Sequence, residues 1–230
     1  MKKHNYFSIT FIIFIVIVFS LASCGQDAKN IAMDTAMDTA VPEGFIEYAN
    51  ENYGFRIYYP IEWMVIDGEI DNDVWLEALK DTRGEEIFAL YESMGMNLDF
   101  ASAIYWFDFD HADEDFVPNT NLYISDAEGA TQNDLKSPEF QKEFQEMFEQ
   151  QYAELYGSLA TVYDLRGRAF KDNYFIVYKL DVMADNYSCY QAITVIGSNT
   201  YTITNTAPIG KLDDFADDFE KMLSTLALIN

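Results

Sequence analysis

The feature that most constrains the fold is a series of strand-like segments in the second half of the chain, separated only by short breaks. They lie near 160–166, 173–184, 187–196 and 199–206. Aromatic and β-branched residues between turn residues are typical of strands. Strands that follow one another in a run, with few helices between them, favour an antiparallel sheet over a parallel one. The sequence therefore predicts an antiparallel sheet at the centre of the domain.

Two helical segments flank this run of strands. Ser137 and Pro138 match an N-cap followed by a proline at the first helical position, and the segment 138–156 ends before Gly157. Its apolar or buried face is expected to carry Phe140, Phe144, Met147, Phe148, Gln151, Tyr152 and Leu155. A closing helix is predicted over 211–228, with one face formed by Leu212, Phe215, Phe219, Leu223 and Leu226. The predicted class is α+β, an antiparallel β-sheet covered by helices.

The first residues of the chain have the parts of a bacterial export signal. Two lysines precede an apolar run from Tyr6 to Leu21, and Leu21-Ala22-Ser23-Cys24 resembles a lipobox. Residues 1–23 are therefore predicted to be a lipoprotein signal peptide, and Cys24 is predicted to carry lipid and to become the mature N-terminus. The alternative is an uncleaved membrane helix, for which the run is about the minimum length. Lipidation places the protein at the outer face of the bacterial cytoplasmic membrane, in an extracytoplasmic position.

The segment 24–43 is small, polar and weakly patterned, with the tandem repeat Met-Asp-Thr-Ala at 33–36 and 37–40. We interpret it as a flexible tether; a short helix is the alternative, because Met and Ala are good helix formers. Residues 44–230 then form a single domain.

The net charge and the cysteine content argue against nucleic-acid binding and against a reactive thiol. Without residues 1–23 the chain has 12 basic and 39 acidic residues, a net charge of −27. A field of this sign opposes nucleic acid and favours cations and basic partners. Once Cys24 carries lipid, Cys189 remains alone, and its strand-like surroundings predict a buried, inert thiol. No intramolecular disulfide is expected.

A family resemblance enters at the start of the domain. The stretch from Tyr53 to Trp63, with the pattern Tyr-Gly-Phe-x-Ile-x-Tyr-Pro-x-x-Trp, resembles the opening motif of the PsbP-like family. The namesake of that family is an extrinsic lumenal subunit of photosystem II, and its bacterial relatives include small lipoproteins of unassigned role. The resemblance implies an α/β/α sandwich and an accessory, binding role. Only about the first twenty residues of the domain carry a specific motif.

The densest group of acidic residues surrounds the one histidine of the mature chain, His111. Asp108, Asp110, Asp113 and Asp115 are the candidate ligands for a divalent cation, because Ca²⁺ prefers several oxygen ligands. The loop lacks the glycine and the glutamate of an EF-hand. Only weak Ca²⁺ binding is therefore expected, with a dissociation constant of about 10⁻⁴ to 10⁻³ M. The alternative is a solvated acidic loop with no metal.

No recognised catalytic signature accompanies these residues. The leading hypothesis is a membrane-anchored, non-enzymatic binding or accessory module for a protein or small ligand, and no other cofactor is expected. The alternative is an extracytoplasmic hydrolase acting on cell-wall or glycan material, since a pair among 39 carboxylates can serve a glycosidase. Trp75 and the run 105–107 are predicted to pack in the core rather than form a binding platform. The acidic face of the closing helix is interpreted as a solvated surface.

Overall fold

A computed structural model describes residues 41–67, 103–112, 116–182 and 187–229. Ten strands and three α-helices are defined in these ranges. The strands are β1 Phe45–Asn50, β2 Phe55–Pro60, β3 Met64–Ile66, β4 Ala103–Phe107, β5 Asn119–Asp126, β6 Ala160–Phe170, β7 Asn173–Val182, β8 Tyr187–Ile196, β9 Asn199–Pro208 and β10 Ala227–Leu228. The helices are α1 Gln132–Leu135, α2 Pro138–Tyr156 and α3 Ala216–Thr225.

The strands form two sheets, and every described pairing is antiparallel. The larger sheet has seven strands in the order β3-β4-β5-β9-β8-β7-β6, and the smaller has the order β1-β2-β10. Four consecutive strands, β6 to β9, are joined as hairpins within the larger sheet. The predicted α+β class with an antiparallel sheet is confirmed. The opening strands, however, form a sheet of their own with β10.

The large sheet is covered on both faces. Because side chains alternate along a strand, β7 sends Ile176 and Tyr178 to one face and Phe175 and Val177 to the other. The first face packs against α2, and the second packs against α3 and the small sheet. This order of layers, helix on sheet on helix, is the α/β/α arrangement that the family resemblance implies.

Aromatic residues fill both layers of the core. Tyr105, Trp106 and Phe107 are all buried, and Trp106 is fully inaccessible. Trp63 is also buried. The prediction that the run 105–107 is core rather than a binding platform is confirmed, whereas Trp75 lies outside the described residues.

Helix α2 has the predicted bounds. The Ser137 side chain accepts a hydrogen bond from the Phe140 backbone N–H at 3.3 Å, and Pro138 begins the helix. Gly157 ends it with a φ of 59°, a left-handed value that glycine adopts without a steric penalty. Phe144, Phe148 and Tyr152 are buried in the core, as predicted, while the other described positions of that face are half-buried.

The predicted closing helix over 211–228 is wrong at both ends. A 3₁₀ turn spans Leu212–Phe215, the α-helix covers only Ala216–Thr225, and residues after Leu226 form β10. Leu226 has an extended backbone, with ψ of 122°. The reason is a partner that is distant in the sequence: β1 pairs with one edge of β2, and β10 pairs with the other edge. All five apolar residues predicted for this face are nevertheless buried.

Within the ranges that the structure describes, no helix combines the length and the apolar character needed to cross a bilayer.

Candidate functional site

Among the described residues of the acidic loop predicted from the sequence, Asp108 is the buried carboxylate. Asp108 is only 3% exposed and caps the 3₁₀ helix Phe109–His111. Its Oδ1 accepts a hydrogen bond from the backbone N–H of His111 at 3.2 Å, and its Oδ2 lies 2.8 Å from Nδ1 of the His111 ring. The carboxylate therefore fixes an imidazole whose side chain is 70% exposed.

The other predicted ligands are not brought together with Asp108 in the described part of the chain. Asp110 is exposed on the same 3₁₀ helix. Asp113 and Asp115 lie outside the described residues. No group of three His, Cys, Asp or Glu side chains within the described ranges is placed to hold a metal ion. The Ca²⁺ site at these four aspartates stays a prediction.

The Asp108–His111 pair has a definite chemical capacity. A buried carboxylate that binds one ring nitrogen of histidine orients the ring and selects its tautomer, leaving the other nitrogen for proton transfer or metal binding. The ring of Phe215 packs against the imidazole edge to face, with the ring centroids 5.8 Å apart. The sequence placed this histidine beside carboxylates without indicating that one of them is buried.

A second site, which the sequence did not indicate, is a groove between strand β6 and helix α3. Its floor is largely apolar or aromatic, and its rim carries charged side chains. It is lined by Arg166, Arg168, Phe170, Val177, Tyr190, Ala216, Phe219, Glu220 and Leu223. We call it the β6–α3 groove. Its cavity volume is about 10 Å³, about what one water molecule needs. The groove is therefore a shallow surface feature.

The one carboxylate of the β6–α3 groove is already engaged. Glu220 on α3 accepts two parallel hydrogen bonds from the guanidinium of Arg168 on β6, of which the Nη2 to Oε2 bond is 2.6 Å. The same guanidinium lies over the Phe170 ring, 4.6 Å from its centroid. This bidentate pair joins the helix to the edge of the sheet.

A second ion pair joins the 3₁₀ turn before α3 to strand β7. The Nζ of Lys179 on β7 donates to Asp213 at 2.7 Å and lies 4.6 Å from the centroid of the Tyr190 ring. The hydrogen bond from Lys179 and its positive charge lower the pKa of the Asp213 carboxyl. The ring of Tyr190 in turn stacks on Phe219 of α3, with centroids 6.1 Å apart. Asp213 and Glu220 lie at the surface, as expected of a solvated acidic face, and each also pairs with a cation of the sheet.

Arg166 differs from these two cations. Its side chain is exposed on β6, and no described residue forms an ion pair or hydrogen bond with it. Strand β6 is the last strand of the sheet and pairs only with β7 among the described strands. An irregularity in the ladder between Tyr163 and Arg166 includes Asp164, with φ of 54°. Among the described residues, the groove thus has one unpaired cation, beside a sheet edge that no described strand covers.

Cys189 is buried, and it is the free thiol of the described chain. Burial, followed by the charge of Asp181, raises the pKa of the Cys189 thiol to about 12. The thiol therefore stays protonated near neutral pH, in agreement with the predicted inert role. Cys24 lies outside the described residues.

Comparisons with known proteins find similar structures but no family. No protein-family model matches the chain, and no curated protein matches it. Among solved structures, the chain is similar to cyanobacterial PsbP (CyanoP) from Synechocystis sp. PCC 6803, with 13% identity, a TM-score of 0.47, and coverage of 90% of this chain and 98% of that one. It is also similar to a protein from Bacteroides thetaiotaomicron VPI-5482, with 12% identity, a TM-score of 0.40, and coverage of 79% of this chain and 47% of that one.

Sequence reasoning missed the β6–α3 groove because its parts are far apart in the chain. Arg168 and Glu220 are separated by 52 positions. One signal was present: Arg166-Gly167-Arg168 places two arginines on the same side of a strand, in a chain with few basic residues.

Proposed function

We propose that the protein is a lipid-anchored, extracytoplasmic, non-enzymatic binding module, and that the β6–α3 groove is its binding face. The character of the groove is the observation that carries this proposal. A cleft lined by paired carboxylates would favour an enzyme, whereas a shallow groove with aromatic walls favours a binder. The β6–α3 groove is of the second kind, since Phe170, Tyr190 and Phe219 line it and Glu220 is bound to Arg168.

The proposal gives the tether and the domain separate roles. Lipid on Cys24 would hold the protein at the membrane, because two acyl chains suffice for stable anchoring. The segment 24–43 would let the domain turn its groove toward a partner. We expect Cys24→Ala to move the protein from the detergent phase to the aqueous phase in Triton X-114 partitioning of whole cells. Unchanged partitioning of a Cys24→Ala variant from which residues 1–23 have been removed would contradict lipid anchoring.

Site-specific photo-crosslinking tests the binding face. A benzophenone amino acid at position 216 would lie in the lining of the groove, whereas the same residue at position 142 would lie on the exposed side of α2, with the native Lys142 side chain 77% exposed. We expect discrete adducts in intact cells from position 216 and none of the same mass from position 142. Equal adduct patterns at the two positions would contradict the assignment of the groove.

The Asp108–His111 pair favours the second candidate function, an extracytoplasmic hydrolase acting on cell-wall or glycan material. An imidazole oriented by a buried carboxylate is suited to act as a general base. The test is digestion of purified peptidoglycan by the intact protein, followed by chromatography of the released fragments. Release that is lost in His111→Gln and kept in Lys142→Gln would support this candidate against the binding module.

A further inference from the structure

We propose that the free edge of strand β6 binds an extended acidic segment of a partner protein, which adds to the seven-stranded sheet as an eighth strand. This inference rests on the proposed binding function and names the chemistry of the partner. In strand addition, backbone hydrogen bonds supply affinity, and the alternating side chains supply specificity. Three observations carry the proposal: the open backbone of β6, its side-chain pattern and its charge.

The open backbone groups of β6 can be identified from the hairpin geometry. Strands β6 and β7 are joined by two residues, and Phe170 faces Asn173 as the closing pair. The closing pair of a two-residue hairpin is hydrogen-bonded, and bonded pairs then alternate with non-bonded ones. Gly167 and Ala169 fall in the non-bonded pairs, so their N–H and C=O groups point away from β7. They offer two donors and two acceptors to an incoming strand.

The side chains along this edge differ on the two faces. Arg166 and Arg168 face α3, since their β7 neighbours Val177 and Phe175 pack in the core on that side. Gly167 and Ala169 face the α2 side and have small side chains, and the hydroxyl of Tyr174 and the amide of Gln141 fill the space that a Cβ at Gly167 would need. An incoming strand that alternates carboxylate and small apolar residues would place its carboxylates beside the arginines and its apolar residues beside Gly167 and Ala169.

The net charge of the chain, −25, opposes an acidic partner at long range. Salt screens distant charges over about 10 Å, so the local charge of this edge decides the partner, and that charge favours an acidic segment. Arg168 is satisfied by Glu220, but Arg166 has no ionic partner among the described residues. A second copy of the same chain is a poorer occupant in the register centred on Gly167. That register places Arg166 of one copy opposite Arg168 of the other, and like charges directly opposite each other destabilise a strand pair.

The experiment measures the binding of a fluorescein-labelled peptide, Val-Glu-Val-Glu-Val-Glu-Val, to the lipid-free protein from residue 25 onward by fluorescence anisotropy. The control peptide has lysine in place of glutamate. Two variants of the protein test the two parts of the argument. Ala169→Pro removes an outward N–H while leaving the β7 ladder intact, with Ala169→Ser as its matched control. Arg166→Glu reverses the unpaired charge, with Lys142→Glu as a control for the same change in net charge.

We expect the acidic peptide to bind and the lysine peptide to bind at least about tenfold more weakly. Ala169→Pro and Arg166→Glu should each weaken binding at least about fivefold, while the two control variants bind as the wild type does. The amides of Gly167 and Ala169 should exchange hydrogen more slowly when the peptide is present. Circular dichroism and urea unfolding of Ala169→Pro establish that a loss of binding is not a loss of fold.

Other outcomes overturn the proposal in distinguishable ways. Equal binding of the two peptides, or binding that survives both Ala169→Pro and Arg166→Glu, would exclude strand addition. Concentration-dependent dimerisation in sedimentation, with the same two amides protected when no peptide is present, would identify a second copy as the occupant. If no peptide binds but position 216 still gives crosslinked adducts, strand addition is wrong and the proposed binding face stands. If position 216 gives no adducts either, the binding face is wrong as well.

Discussion

At the scale of single residues, each face of the large sheet packs against a buried phenylalanine from the helix that covers it. Phe144 of α2 and Phe219 of α3 are 3% and 2% exposed. We predict that Phe144→Ala and Phe219→Ala each lower the free energy of unfolding by about 3–5 kcal/mol, because removing a buried ring leaves a cavity. Urea unfolding measures the loss. Tyr53→Ala, at a half-exposed site, is the control and should change stability little.

A loss below about 1 kcal/mol for both phenylalanine variants would mean that these helices do not depend on their aromatic faces. A large loss for only one of them would show that one layer dominates the stability of the domain.

The pairing of Asp213 with Lys179 predicts a dependence on pH. A carboxyl whose pKa is lowered on folding stabilises the folded state above its ordinary value, near 3.8, and this stability is lost as the pH falls through the lowered value. Asp213→Asn should therefore be less stable than the wild type at pH 7, by about 0.2–1 kcal/mol, the usual range for a pair with an exposed partner.

Urea unfolding of the two proteins between pH 7 and pH 3 tests this expectation. The difference in stability should shrink toward the acid end of the range. Glu143→Gln, at an exposed position of α2, should show no such convergence. A difference that stays constant with pH would mean that Asp213 contributes through its shape and not through its charge.

At the scale of elements, the sequence predicted what local residues determine. Helix α2 was predicted with correct ends because the residues that determine its ends are local in the sequence: Ser137 and Pro138 at the start and Gly157 at the end. The end of α3 was not, because the extended backbone after Leu226 depends on β2, far away in the sequence. The same reason applies to the β6–α3 groove, whose ion pairs join residues that no local pattern connects. The burial of Asp108 was missed too, since a run of aspartates resembles a solvated loop.

Strand β10 gives a prediction at this scale. Leu228 faces Phe55 in the small sheet, and the backbone N–H of Ile229 donates to the carbonyl of Gly54 at 2.9 Å. A chain that ends at Leu226 should lose these hydrogen bonds and expose one edge of β2. We expect a lower free energy of unfolding and faster amide exchange in β2 than in β7, measured by hydrogen exchange with mass spectrometry.

A chain that lacks only Asn230 is the matched control and should behave as the full chain does. Equal exchange in β2 for both truncated chains would show that β10 does not protect it.

At the scale of the whole molecule, the two faces of the large sheet differ in what covers them, and its two edge strands differ in length. Helix α2 covers one face, while α3 and the small sheet cover the other. Of the two edges, β3 is only three residues long, whereas β6 has eleven. A long edge is the place where a sheet can accept another strand. The irregularity near Asp164 and the arginines that follow it limit which strand that can be, which is why the proposed partner is acidic.

The small sheet combines strands that are synthesised early with a strand that is synthesised late, so it cannot be completed early in translation. Its central strand, β2, is made near the start of the domain, but its second neighbour, β10, leaves the ribosome about 170 residues later. The backbone N–H of Tyr58 donates to the hydroxyl oxygen of Thr225 at 2.9 Å. This hydrogen bond, too, cannot form until Thr225 has been synthesised. Contacts this distant in sequence form late, because a long loop must close first. A nascent chain of this topology therefore cannot complete its small sheet until almost the whole domain has been synthesised.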